Sequence, residues 1–82
     1  MDDAQVNNVR IWATNEMVSV STKGVLMDKV KVYDLSGVLI RQFEPKSAEY
    51  QFLLNDVSSG VYLIEAVTMD GERTIERVYI NP

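Results

Sequence analysis

The stretch Val30-Lys-Val-Tyr-Asp-Leu-Ser-Gly-Val-Leu-Ile40 decides the fold. Val30 and Val32 alternate with Lys29 and Lys31, a period of two that suits a pleated strand with one buried face. Asp34-Leu-Ser-Gly37 then interrupts, and Val38-Leu-Ile40 restarts the apolar run. A type I turn takes Asp at its first position and tolerates most residues centrally. Glycine at its end reaches positive φ and re-enters the next strand through a bulge. Asp34 and Gly37 fit those places, so the stretch reads as two strands and their reversal rather than as a ligand site.

The same pattern extends in both directions. Upstream, Val9 and Ile11 alternate with Arg10 and Trp12, and Val18 and Val20 alternate with Ser19 and Ser21. Downstream come Val38 to Phe43, Tyr50 to Leu54, Val61 to Thr68 and Thr74 to Ile80, all rich in β-branched and aromatic residues. Val57-Ser-Ser-Gly60 and Thr68-Met-Asp-Gly71 share the form of the first turn, glycine last. Glu44-Pro-Lys-Ser-Ala48 is different, because proline cannot donate to a ladder; it reads as a surface crossing. Ile64-Glu-Ala-Val-Thr-Met69 has some helix propensity, but the bounding Gly60 and Asp70-Gly71 leave about nine residues, which is strand length.

About seven short strands with turn signals every eight to twelve residues or so predict an all-β fold. The expected form is a small antiparallel β-sandwich, Ig-like, over residues 9–82, preceded by a flexible N-terminal segment over residues 1–8. Val30, Val32, Leu63 and Ile64 are expected among its buried or partly buried positions. Lys29, Lys31, Arg73 and Arg77 are expected to guard its edges against unwanted pairing.

Composition limits the function classes. At 82 residues, 46% hydrophobic and with two prolines, the chain suits one small packed domain. Having no cysteine, it forms neither a disulfide framework nor a thiolate metal site. Twelve acidic residues against eight scattered basic ones give a net charge of −4, which disfavours nucleic acid and anionic lipid as partners. No run approaches the eighteen or so apolar residues of a membrane helix, and direct membrane insertion is not expected. The start, Met1-Asp-Asp-Ala-Gln-Val-Asn-Asn8, lacks the basic and apolar regions of a secretory signal.

Chemistry is sparse. Histidine is absent together with cysteine, which removes the Ser-His-Asp and Cys-His constellations. Glu65 is the one acid inside a strongly apolar strand; alternation predicts that it faces solvent, and a catalytic role would need burial instead. Asp70-Gly-Glu72 is too sparse for a calcium loop, and Asp2-Asp3 reads as a solvated pair. No catalytic, cofactor-binding or metal-ligating residue is expected. Trp12, Tyr33, Tyr50, Tyr62 and Tyr79 are expected to pack in the core or along edges. Trp12, which shares a face with Arg10, is the best candidate for a sugar-stacking platform.

Three stretches in order carry a family likeness: Val30 to Ile40, then Phe52-Leu-Leu-Asn-Asp-Val-Ser-Ser-Gly-Val-Tyr-Leu-Ile64, then Met69-Asp-Gly71 and a closing strand. Together they resemble the C-terminal sorting domain of the type IX secretion system, type A. The resemblance is strong over residues 30–80 and looser over 9–29. It implies a non-catalytic module in Bacteroidetes-type bacteria that directs a larger, covalently attached cargo across the outer membrane. The partners would be that cargo and the outer-membrane secretion machinery, and the destination the cell surface or the medium, by way of the periplasm. On this reading the chain is a piece of a longer protein. The turn and recognition candidates are Asp34, Gly37, Gly60, Tyr62, Gly71, Arg73 and Arg77. The last strand, Thr74 to Ile80, is the expected docking edge for a strand-addition partner. The alternative is a structural or adhesive cell-surface sandwich, with glycan as a conceivable ligand.

Overall fold

Seven strands form where period-two patterning places them. They are β1 (Arg10–Thr14), β2 (Met17–Ser21), β3 (Met27–Tyr33), β4 (Leu39–Phe43), β5 (Glu49–Leu53), β6 (Gly60–Thr68) and β7 (Arg73–Ile80). The structure, a computed structural model, describes residues 8–82, and within them there is no helix. The N-terminal segment assigned to 1–8, with its Asp2-Asp3 pair, lies outside the described residues apart from Asn8.

Two antiparallel sheets stack face to face, one in the order β1-β2-β5 and the other β4-β3-β6-β7. This is the expected Ig-like sandwich. Val18, Val20 and Phe52 from the smaller sheet meet Val30, Val32, Tyr62, Ile64, Ala66, Val78 and Ile80 from the larger, all buried. Leu63 points to the other face of its strand and is half-buried. β3 begins earlier than alternation of valines indicates, because Met27 is also fully buried.

The placement of charge at edges needs correction. β3 lies between β4 and β6, so Lys29 and Lys31 are on an interior strand and guard no edge. Sequence alternation shows which face a residue takes but not which neighbours its strand acquires. Arg73 and Arg77 do lie on an edge strand, β7.

Two of the three glycine-terminated breaks are the same turn. In the first, Gly37 N–H donates to Asp34 O (3.0 Å) and Asp34 N–H to Val38 O (3.0 Å); in the second, Gly71 N–H donates to Thr68 O (2.9 Å) and Thr68 N–H to Glu72 O (2.9 Å). Gly37 has φ 91° and Gly71 φ 90°. The first residue also closes each loop with its side chain. Asp34 Oδ1 accepts from Ser36 N–H (2.9 Å), Ser36 Oγ (2.6 Å) and Val38 N–H (3.0 Å), while Thr68 Oγ1 accepts from Glu72 N–H (3.0 Å). The Ser36 hydroxyl first, then the Val38 N–H, holds the Asp34 carboxyl below its ordinary range.

The third break is not a hairpin. β5 and β6 belong to different sheets, so Val57 to Ser59 carry the chain across the sandwich. Tyr62 Oη donates back to Ser58 O (2.6 Å), pinning that corner from inside β6. Gly60 has φ 158°, as expected a positive φ that L side chains rarely adopt. A Cβ at Gly37 would meet nothing within 4 Å, so backbone strain alone sets the cost there. Gly37→Val and Gly60→Val are each expected to destabilise by about 1–3 kcal/mol. Unchanged urea midpoints for both variants would contradict this.

Glu44 to Ala48 is a surface crossing between sheets, as proline indicated. Lys46 N–H donates to Met27 O (3.0 Å), and its ammonium lies 2.5 Å from the Asp28 carboxylate. That hydrogen bond keeps the Asp28 carboxyl below its usual range.

Candidate recognition surface

The residues singled out from sequence divide between the two ends of the larger sheet. Register pairs Tyr33 with Leu63 and Leu63 with Arg77, which sets the Asp34–Gly37 turn, Gly60 and Tyr62 at one end. Val67 pairs with Arg73, which sets Arg73 and the Gly71 turn at the other. Asp34, Gly37, Tyr62 and Gly71 each serve their own loop, and their hydrogen bonds are local. They shape the scaffold and do not converge on a ligand.

Glu65 departs from its expected exposure. It is on the outer face of β6, as alternation requires, yet only 3% exposed. Tyr33 Oη donates to its Oε1 (3.2 Å), and Arg73 donates through Nε (2.7 Å) and approaches through Nη2 (2.5 Å) at its Oε2. The long side chains of adjacent strands lie over the carboxylate and replace its water. Desolvation, then the Glu65 charge, pushes the Tyr33 phenol above its ordinary value. A carboxylate gripped by a guanidinium and a phenol is an ion-pair strut rather than a general base. Arg73 is consequently not a free surface charge, whereas the exposed Arg77 side chain makes no hydrogen bond or ion pair among the described residues.

The two sides of the sandwich are finished differently. Between edge strands β4 and β5, Phe43 stacks against Phe52 (centroids 4.6 Å) and Tyr50 (5.5 Å), sealing that side. On the opposite side β1 and β7 meet around a cleft of about 500 Å³, lined by Ile11, Trp12, Asn15, Arg77, Tyr79 and Asn81. One backbone hydrogen bond, Asn81 N–H to Asn15 O (3.0 Å), ties its end. Trp12 is 40% exposed and Tyr79 60% exposed, against the packed role expected of strand aromatics. Tyr62 does take that role, at 8%. The Arg10 guanidinium lies 5.1 Å from the indole centroid. A second depression, of about 330 Å³, lies on the β2 and β5 side of Trp12, beside Ser19, Glu49 and Gln51.

Among the described residues no group of three or more His, Cys, Asp or Glu side chains is arranged to hold a metal ion. Among the described residues the surface features that remain are the β7 strand edge, a cleft and exposed rings. These suit recognition by contact.

The family model described as Domain of unknown function (DUF8694) matches residues 1–80, nearly the whole chain, which therefore belongs to that family. Among curated proteins none matches significantly. The crystal structure of CopC from Methylosinus trichosporium OB3b is similar in fold, with a TM-score of 0.54 and 15% identity over 94% of this chain and 86% of that one. At that identity the likeness is one of fold alone, and it agrees with the β-sandwich.

Proposed function

We propose that this member of the DUF8694 family is a non-catalytic sorting module. It would direct a larger, covalently attached polypeptide through the periplasm and across the outer membrane by type IX secretion, leaving it secreted or at the cell surface. The observation that carries the reading is the position of β7. It is a sheet edge that, among the described strands, pairs with β6 alone, and its other side borders the β1–β7 cleft rather than the aromatic seal.

An address label must be read from its surface while folded. An edge strand offers main-chain donors and acceptors to an incoming strand, and side chains beside it give specificity. Arg77 and Tyr79 stand on that edge with exposed side chains. The Asp34–Gly37 turn, which carries much of the sequence likeness to sorting domains, contributes by holding the β3–β4 hairpin in register. Fused behind a signal peptide and a reporter in a bacterium with type IX secretion, residues 9–82 are expected to carry the reporter out of the cell. A folded fusion retained in the periplasm would overturn the reading.

A further inference from the structure

The outer face of the smaller sheet has a different chemistry from the β7 edge. Register aligns Trp12 with Ser19 and Ser19 with Gln51, and in the next row Arg10 with Ser21 and Ser21 with Glu49. Each row occupies one face of the pleat. Around the exposed indole there is thus a field of the Gln51 amide, the Ser21 hydroxyl, the Glu49 carboxylate and the Arg10 guanidinium, with Ser19 buried beneath it. From these observations we infer that this face binds a neutral oligosaccharide, with one pyranose ring stacked on Trp12 and the next lying over Gln51.

The groups are already oriented. Gln51 Nε2 donates to Ser19 Oγ (3.1 Å), and Ser21 Oγ donates to Glu49 Oε2 (2.7 Å). Those bonds fix the side chains and leave Gln51 Oε1 and Glu49 Oε1 to accept sugar hydroxyls. A pyranose has an apolar C–H face and a hydroxyl rim, so it requires a flat ring with planar polar groups at the ring's edge. Neighbouring strands are about 4.8 Å apart, so a row from Trp12 to Gln51 spans roughly 10 Å, enough for two linked rings. The depression of about 330 Å³ beside Trp12 runs along that row.

The chain has a single tryptophan, so its emission reports from this face alone. Cellohexaose, chitohexaose and mannohexaose are the probes, titrated against the 82-residue protein by fluorescence and by calorimetry. At least one is expected to shift the emission saturably and to give matching heat. Gln51→Ala is expected to weaken that binding roughly tenfold, and Trp12→Ala to abolish the heat with circular dichroism unchanged. Trp12→Phe, which keeps a ring, is expected to retain part of it. Absence of any response to all three sugars at millimolar concentration, or heat that survives Trp12→Ala, would overturn the inference.

Discussion

Removal of Thr74 to Pro82 is expected to unfold the domain, abolishing its cooperative thermal transition and its near-ultraviolet circular dichroism. β7 pairs with β6 from Gly60↔Ile80 to Val67↔Arg73, and it supplies the buried Val78 and Ile80. Burying each such side chain stabilises by roughly 1.5–3 kcal/mol. A chain of this length has a net stability of only about 4–12 kcal/mol. Loss of two core residues together with the full β6 ladder is of the same size. The deletion would also expose β6, whose Val61, Leu63 and Val67 would become a new apolar edge. A retained cooperative transition would show that β7 is peripheral. If the strand is integral, its deletion stops export merely by unfolding the label, so recognition has to be probed by single substitutions.

The second large effect is expected at Arg73. Arg73→Ala leaves the Glu65 carboxylate almost fully buried, with the Tyr33 hydroxyl as its remaining hydrogen-bond partner among the described residues. Breaking a fully buried pair costs more, but the Arg73 side chain is 66% exposed, and water enters where it leaves. A destabilisation of about 2 kcal/mol is expected on these grounds. Adding Glu65→Leu removes the stranded charge and should recover much of the loss, because Glu65 lies on a face shared with Leu63 and Val67. Urea unfolding of the two single variants and the double decides the matter. Simple additivity of the two losses would contradict the strut. Arg73 is thereby unsuitable as a silent surface charge, although sequence alone presents it as one; Arg77, whose side chain makes no hydrogen bond or ion pair among the described residues, suits that use.

Local chemistry was well recorded in the sequence. Asp34 and Gly37 announce their turn because side-chain acceptor and permissive φ act within four residues. Period-two alternation likewise places Val30, Val32 and Ile64 inward, and puts Glu65 on the outer face. What failed depends on partners distant in the chain. Val57-Ser-Ser-Gly60 looks like the hairpin turns, but whether such a loop reverses the chain or crosses between sheets depends on which strand β6 pairs with. Lys29 and Lys31 look like edge guards until β6 joins β3. Burial of Glu65 requires Tyr33 and Arg73, brought over it by register. Trp12 was marked by its polar alternation partner, Arg10; the row through Ser19 and Gln51 appears only once β1, β2 and β5 are aligned. The candidate recognition surface is therefore a product of sheet order, which a period of two does not encode.

The sorting account is tested most directly by where a folded fusion goes. A signal peptide, a reporter and residues 9–82 would be joined and expressed in a bacterium with type IX secretion, and in the same strain lacking the translocation channel. The measured quantity is the fraction of active reporter outside the cell. The account predicts export in the first strain and periplasmic retention in the second. It also predicts that Arg77→Glu reduces export with an unchanged urea midpoint, since an exposed side chain that makes no hydrogen bond or ion pair among the described residues costs little stability when substituted. Equal periplasmic retention of the folded fusion in both strains would contradict it.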